Sequence, residues 1–126
     1  MSFRLEKAKT TSTPYVLVDE TKNQIKLEGR CFHENAVMFF KEIDEWLDGY
    51  LTTDFGVFTF ENAISYFNSS TTRQLYYMMK KLDKHSTDDN KIVVNWITTM
   101  DNEAMIECGE DFKEEMMNLE FNLIVR

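Results

Sequence analysis

The stretch VFTFENAISYFNSSTTRQLYYMMKKL, residues 57–82, changes its hydrophobic period once. Residues 57–60 and 63–67 are mostly apolar, which predicts a strand, or one strand that continues past the polar pair Glu61-Asn62. Beyond the hydroxyl residues that follow, apolar side chains recur at steps of three and four, the spacing of an amphipathic helix. They are Leu75, Met78, Met79 and Leu82. The stretch therefore predicts a strand that leads directly into a helix.

Upstream of this unit the pattern predicts two strands and a helix. Residues 15–18 and 25–28 are strand-like and enclose the polar segment 19–23, which is typical of a β-hairpin. Residues 34–51 carry apolar side chains at helical spacing, with acidic residues on the opposite face. The first half of the chain thus contributes a hairpin and one helix.

Downstream, residues 92–97 form a nearly continuous apolar run rich in β-branched residues, which predicts a strand buried on both faces. A third helix is indicated by apolar residues at helical spacing, and 121–125 predicts a last strand. The helix markers are Met105, Cys108, Phe112 and Met116.

The predicted element order is β-β-α-β-α-β-α-β. Strands that alternate with helices imply parallel pairing through right-handed crossovers, with the hairpin at the start. We therefore expect a single α/β domain with a mixed sheet of about five strands and three main helices. The domain is expected over residues 13–126, preceded by a loosely ordered tail over residues 1–12.

Composition limits the partners and the compartment. The 126 residues include 14 basic and 22 acidic side chains, giving a net charge of −8, which disfavours binding to nucleic acid or to an anionic membrane. No apolar run is long enough for a transmembrane helix, and no signal peptide is evident. Two distant cysteines, Cys31 and Cys108, are expected to stay reduced, which favours the cytoplasm.

The sequence offers little for catalysis or metal binding. His33 and His85 are the only histidines, so neither a zinc site nor any other metal site is expected, and no cofactor motif is present. No nucleophile elbow occurs, and the carboxylates follow helix faces and turns. A small cytosolic enzyme, or a ligand-binding domain that uses a pocket at the carboxyl ends of the strands, remains the alternative function.

The hydroxyl run that follows Phe67 is the strongest local feature. Asn68, Ser69, Ser70, Thr71 and Thr72 lie where the strand gives way to the helix, followed by Arg73. One interpretation is helix capping by Asn68, Ser69 or Ser70. The other is phosphorylation, because a helix N-terminus carries partial positive charge and unpaired N–H donors. The local chemistry favours capping and leaves room for both.

Four segments resemble the SiaC-type bacterial regulatory phosphoproteins, a family with a STAS-like fold similar to that of anti-sigma-factor antagonists. Ser12-Thr13-Pro14 resembles the family's S-T-P entry to the first strand, and residues 29–35, GRCFHEN, resemble its G-x-S-Y-P-E-N segment. Residues 66–70, YFNSS, resemble its Y-F-N-T-S-S signature, and Trp96 with 109–112 fits its later pattern.

This resemblance implies regulation by phosphorylation rather than catalysis. It places the modified hydroxyl at Ser69, with Ser70 as a competitor and Asn68, Thr71, Thr72 and Arg73 around it. It implies a dedicated kinase, a PP2C-like phosphatase and a protein partner, in the best-understood setting a diguanylate cyclase. The motif residues expected at the partner surface are Thr13, Pro14, Glu34 and Asn35.

Three departures from the family motifs affect this corner of the fold. Serine stands at 69 where threonine is usual, which a Ser/Thr kinase should tolerate. Cys31 replaces a serine and His33 replaces a proline, which changes the expected start of the first helix. Three function classes follow: a phosphorylation-switched binding module, a small enzyme, and a constitutive structural subunit.

Charge is unevenly distributed along the chain, as is common for docking proteins. Residues 73–91 hold five basic and three acidic side chains, whereas residues 101–126 hold eight acidic and two basic ones. The second helix is therefore a basic strip on an acidic body, an arrangement that can steer a partner of complementary charge.

Overall fold

The computed structural model describes residues 2–32 and 36–126, which form one six-stranded sheet and three helices. The strands are β1 (Arg4–Lys7), β2 (Tyr15–Asp19), β3 (Gln24–Cys31), β4 (Val57–Phe67), β5 (Lys91–Thr98) and β6 (Glu120–Val125). The helices are α1 (Ala36–Tyr50), α2 (Ser69–His85) and α3 (Glu103–Glu115).

The sheet keeps the order of the chain, β1-β2-β3-β4-β5-β6. The first three strands pair antiparallel, and β3 to β6 pair parallel through the three helices. The mixed α/β fold, the initial hairpin and the three helices predicted from the sequence are confirmed. We call the end of the parallel strands that holds Gln24, Val57, Lys91 and Glu120 the amino edge, and the opposite end the carboxyl edge.

Two expectations need correction. Arg4–Lys7 forms a strand against β2 inside the segment expected to be a loose tail, so the sheet has six strands. Leu5 is half-buried there, and one apolar residue in four was too weak a signal to predict a strand.

The second correction concerns β5, which is not buried on both faces. Its side chains alternate between fully buried and half-exposed, with Val93, Asn95 and Ile97 on the half-exposed side. Three successive right-handed crossovers that all advance in the same direction place every helix on one face of the sheet. Only that face is covered, so the apolar run in the sequence overstated the burial.

The core lies between the covered face and the helices. Trp96, Phe40, Phe58 and Phe60 are its largest fully buried side chains. The polar pair at 61–62 does not interrupt β4, because Glu61 lies on the half-exposed face and Asn62 on the covered one. The Asn62 amide is fully buried, and neither of its polar atoms has a hydrogen-bond partner among the described residues. Such a group costs about 1–3 kcal/mol.

Candidate functional site at the carboxyl edge

The turn between β4 and α2 places the hydroxyl run at the carboxyl edge. Asn68 is the N-cap residue, and its side-chain oxygen accepts a hydrogen bond from Thr71 N at 3.0 Å. Ser69 is the first residue of α2, and both Ser69 and Ser70 are exposed. Capping is therefore performed by Asn68, which leaves the two serine hydroxyls free of that task.

The two threonines that follow are turned towards the protein. Thr71 is fully buried, with Oγ1 3.5 Å from Cys31 Sγ. Thr72 Oγ1 donates to the carbonyl oxygen of Asn68 at 3.0 Å. The fold thus divides the hydroxyl run into two accessible serines and two threonines that support the turn.

Arg73 lies one helical turn beyond Ser69 and is exposed. It makes no ion pair with any residue in the described ranges 2–32 and 36–126. Its guanidinium is free to approach a negative group at the start of α2, where the helix dipole also favours negative charge.

A β-bulge shapes the neighbouring end of β4. Gly29 pairs with Ile64 and Arg30 pairs with Tyr66, so Ser65 is an extra residue on β4. Gly29 has φ +116°, a conformation that side chains with a Cβ rarely adopt. Asn102, the N-cap residue of α3, donates from Nδ2 to the carbonyl oxygen of Ser65 at 2.8 Å. The bulge is therefore fixed by the pairing of β3 with β4 and by a hydrogen bond from the N-cap residue of α3.

This bulge brings half-buried Phe32, exposed Tyr66 and exposed Arg30 together beside the hydroxyl run. The Arg30 guanidinium lies 5.1 Å from the ring centre of Phe32 and 5.8 Å from that of Tyr66. The two rings meet edge to face at 5.9 Å, and Tyr66 is 48% exposed. Tyrosine and arginine at such a position are typical of the residues that dominate protein interfaces.

The loop before β2 packs against the same corner. Phe32 N donates to the carbonyl oxygen of Ser12 at 2.9 Å, Thr13 is half-buried and Pro14 is buried. The segments 12–14, 29–32 and 66–70, separate in the sequence, therefore meet at the carboxyl edge. Glu34 and Asn35, expected at the partner surface, lie outside the described residues, as does His33.

Further apolar side chains are exposed at this edge. Val37 and Met38, in the first turn of α1, are 57% and 59% exposed, and Met100, between β5 and α3, is 74% exposed. Exposed apolar residues that cluster on one side of a protein mark interaction surfaces. Sequence analysis missed Arg30, Phe32, Tyr66 and Met100 as site residues, and the glycine inside the β3 pattern was the one available signal for the bulge.

A pocket lies at the carboxyl ends of the strands, and the charged residues in its lining are Glu28 and Arg126. It has a volume of about 220 Å³ and includes Ser65, Thr99 and Asn102 in its lining. Thr99 Oγ1 donates to Asp101 at 2.6 Å, and Asn102 is used for capping and for the bulge. His85 lies at the far end of α2, where its ring bonds the Lys81 carbonyl. Within residues 2–32 and 36–126 no group of three acidic, cysteine or histidine side chains could hold a metal ion.

Comparison with known proteins assigns the family. The family model described as SiaC family regulatory phosphoprotein matches residues 7–126, nearly the whole chain. The chain belongs to the SiaC family. Because the family consists of regulatory phosphoproteins, the chain is a regulatory protein rather than an enzyme.

Solved structures of SiaC proteins share the fold. SiaC of Pseudomonas aeruginosa superposes with a TM-score of 0.88 at 18% identity, covering 98% of this chain and 99% of that one. A chain from the crystal structure of the P. aeruginosa diguanylate cyclase SiaD in complex with its activator SiaC gives 0.89 at 20% identity, with coverage of 97% and 99%.

Two further findings concern the sequence relatives and the helices of this SiaC family member. A search of curated proteins finds no match to its sequence. None of its described helices is both long and apolar enough to cross a membrane.

Proposed function

We propose that this protein binds a protein partner through the carboxyl-edge surface and that phosphorylation of Ser69 switches this binding. The placement of Ser69 is the observation that most supports the proposal: its hydroxyl is exposed at the first residue of α2 while Asn68 supplies the cap. Ser70 is also exposed and is the competing acceptor. Thr71 and Thr72 are committed to contacts within the fold and are not acceptors.

Phosphorylation at this position should leave the fold intact. A phosphoserine adds about −1.5 to −2 charges at neutral pH. At an exposed helix N-terminus negative charge is favourable by roughly 0.3–1 kcal/mol. Arg73, one turn on, adds a nearby positive charge.

The same charge should oppose a complex that covers Ser69. An interface that accommodates a neutral hydroxyl would have to desolvate the phosphate, and an unpaired buried charge costs several kcal/mol. The cost to association exceeds the gain to the helix, so the switch acts on partner binding and not on folding.

The proposed partner is a diguanylate cyclase, because the P. aeruginosa family member SiaC is the activator of the cyclase SiaD. The family's description as phosphoproteins supports phosphorylation itself. The dedicated kinase and the PP2C-like phosphatase that would set the phosphorylation state are what the motif resemblance implies. We place the protein in the cytoplasm, where ATP-dependent kinases act and where Cys31 and Cys108 stay reduced.

The motif residues would support the partner surface in different ways. Buried Pro14 and half-buried Thr13 fix the loop that bonds Phe32, so their role is to position that corner. Glu34 and Asn35 are proposed as direct contacts on the basis of the family motif.

The test compares wild type with Ser69→Ala, Ser69→Asp and the matched control Ser70→Asp. Each is titrated against the purified diguanylate cyclase of the same host and melted in parallel. We expect Ser69→Asp to weaken binding at least about tenfold while its melting temperature stays within a few degrees, and Ser69→Ala to bind normally.

Two results would overturn the proposal. One is a Ser69→Asp variant that binds the cyclase as tightly as wild type, and the other is a Ser69→Asp variant that unfolds. Mass spectrometry of the protein from its host should show a species heavier by about 80 Da, lost in Ser69→Ala. If Ser70→Asp weakens cyclase binding more than Ser69→Asp does, Ser70 is the regulatory phosphorylation site.

A further inference from the structure

The sheet ends in two outer strands, β1 and β6, and each of them pairs with a neighbouring strand on one side only. The backbone N–H and C=O groups on the other side of an outer strand can pair with a further strand. Short length and charged side chains normally oppose such pairing. β1 has both protections, because three of its four residues, Arg4, Glu6 and Lys7, are charged.

The strand β6 lacks these protections along most of its length. Residues 121–125, FNLIV, contain neither a charge nor a proline, and four of the five are apolar. Val125 is 41% exposed and Leu123 is half-buried. An outer strand of this composition favours pairing with another strand.

The register with β5 fixes which backbone groups of β6 point outward. Arg126 N donates to the carbonyl oxygen of Thr98 at 2.9 Å, and Met100 N donates to the carbonyl oxygen of Arg126 at 3.0 Å. Backbone groups of successive residues in a strand point to alternate sides, so every second residue before Arg126 also faces β5. The outward-pointing residues are Phe121, Leu123 and Val125. Within residues 2–32 and 36–126, their backbone groups make no backbone–backbone hydrogen bond.

The middle of α3 lies above β6 and not beside it. At Gly109 the helix comes so close to the sheet that an added Cβ would lie 2.9 Å from Leu123 Cδ1. By the helical period, the side of α3 turned away from α2 carries half-buried Ile106 together with Glu110 and Lys113. Two copies of the chain that met along β6 would therefore not oppose each other with helix charges of one sign.

We infer that β6 pairs antiparallel with β6 of a second copy of this chain, about a two-fold axis at Leu123. Full overlap of the two strands places Phe121 opposite Val125 of the second copy and Leu123 opposite its own counterpart. All the outward-pointing backbone groups then face each other in hydrogen-bonded pairs. Two-fold dimers with a self-complementary contact of this kind are the commonest symmetric assemblies.

The same register brings opposite charges together at both ends of the paired strands. Glu120 lies opposite Arg126 of the second copy, and the two-fold axis repeats this pair. Both residues are exposed, and Arg126 makes no ion pair with the described part of the chain, whereas Glu120 lies 2.9 Å from Lys91. Opposite charges stabilise directly opposed positions of an antiparallel pair, and like charges destabilise them. This charge complementarity favours a second copy as the occupant.

The pairing would join the two sheets into one continuous sheet with the helices of both copies on the same face. Ser69 follows β4, which lies two strands away from β6. Both carboxyl-edge surfaces would therefore stay uncovered, and the two-fold axis would point them in opposite directions. The inference does not depend on the proposed function.

The first test reverses the charges at the ends of β6. Wild type, Glu120→Arg, Arg126→Glu and the double reversal are compared by analytical ultracentrifugation over a range of concentrations. We expect wild type to form a dimer that dissociates on dilution, and each single reversal to raise its dissociation constant about tenfold. The double reversal should restore the constant to within about threefold of wild type, at an unchanged net charge of −8.

Two results of this test would overturn the inference. One is a wild-type protein that stays monomeric at every concentration. The other is a double reversal that dimerises as weakly as the single reversals, because the pairing of Glu120 with Arg126 would then be absent.

The second test removes one outward N–H from each outer strand. Val125→Pro deletes a donor that does not face β5, and proline is tolerated at such positions. Arg4→Pro is the matched control, since Glu20 N donates to the carbonyl oxygen of Phe3 and the next residue, Arg4, therefore points away from β2. The dissociation constant should rise at least about tenfold in Val125→Pro and stay within about twofold in Arg4→Pro. Equal effects of the two prolines would contradict pairing through β6.

Amide hydrogen exchange locates the contact in the unmodified chain. In dilute protein the amides of Phe121, Leu123 and Val125 should exchange rapidly, and at concentrations that favour the dimer they should exchange at least about tenfold more slowly. The amide of Ile124 faces β5 and should be protected at both concentrations. A dimer whose newly protected amides lie outside β6 would overturn the inference.

Discussion

The amino and carboxyl edges of the sheet differ in side-chain packing and hydrogen bonding, although the same helices run between them. At the amino edge, four aromatic rings stack in sequence with centre distances of 5.7, 4.5 and 5.1 Å. The rings are Phe3, Trp46, Tyr50 and Phe55. The Trp46 indole donates to Glu20 at 2.8 Å, and the Tyr50 hydroxyl donates to Asn23 at 2.5 Å.

Asp83, at the end of α2, closes the amino edge further. Its buried carboxylate accepts hydrogen bonds from three successive backbone N–H groups, at Met117, Asn118 and Leu119, over 2.7–3.1 Å. At the carboxyl edge, by contrast, Tyr66, Met100 and the serine hydroxyls face solvent. The amino edge is therefore held by stacked rings and by Asp83, although Val57 and Met117 are exposed there, whereas the carboxyl edge leaves Tyr66, Met100 and the serine hydroxyls available for a partner.

The largest expected effect is at the amino edge, in Asp83→Ala. The change leaves the buried Leu119 N–H, and two N–H groups beside it, without their acceptor, and should lower the free energy of unfolding by about 3 kcal/mol. Urea unfolding measures this value. A loss below about 0.5 kcal/mol would show that the amino edge is not held by Asp83.

Two helical glycines, Gly109 in α3 and Gly49 in α1, differ in the space that surrounds them, and replacing each by alanine should change stability in opposite directions. A Cβ at Gly109 would lie 2.7 Å from Trp96 Cδ1 and 2.9 Å from Leu123 Cδ1, whereas a Cβ at Gly49, near the amino edge, meets nothing within 4 Å. Gly109→Ala should cost about 2 kcal/mol through overpacking. Gly49→Ala should gain roughly 0.5 kcal/mol through helix propensity.

Thermal melts of the two glycine variants measured side by side provide the check. Both replace a helical glycine by the same residue, so a difference between them reports the space around each site. Equal melting temperatures would contradict the close approach of α3 to Trp96.

Low pH should destabilise the folded protein by protonating Asp83 at the amino edge. Burial tends to raise the pKa of this carboxyl, but the hydrogen bonds from Leu119, Asn118 and Met117 outweigh it, so the pKa in the folded protein is lowered. The stabilisation is therefore complete above the unfolded-state pKa of about 3.9 and is lost as the pH falls through the folded pKa.

Unfolding free energy measured against pH should consequently fall less steeply below about pH 4 in Asp83→Asn than in wild type, because the amide does not titrate there. If the free energy of unfolding has the same slope against pH in both proteins, Asp83 does not contribute to the loss of stability in acid.

A small effect on stability is expected at the carboxyl edge, in Tyr66→Ala. Since the ring is 48% exposed, the free energy of unfolding should change by less than about 1 kcal/mol, while binding to the host cyclase weakens about tenfold or more. Met117→Ala, at the 87% exposed methionine of the amino edge, is the control and should alter neither quantity. If only Met117→Ala loses binding, the partner binds at the amino edge and not at the carboxyl edge.

Much of the fold could be predicted because hydrophobic period depends on local sequence. Residues 57–82 change period where β4 ends and α2 begins, and the structure places Ser69 at that boundary. The short strand Arg4–Lys7 could not be predicted, because its partner, β2, and not its own composition stabilises it. The Arg30–Phe32–Tyr66 cluster depends on a bulge between β3 and β4, which neither strand shows by itself.

The sequence by itself determined the order of the elements, the parallel pairing, the family and the hydroxyl run after Asn68, because each depends on nearby residues or on a motif. The tertiary structure decided which of four consecutive hydroxyls point outward, since burial of Thr71 depends on Cys31, forty positions away. It also decided that the three described helices all lie on one face of the sheet. These features arise from packing between distant segments, whose geometry no local pattern encodes.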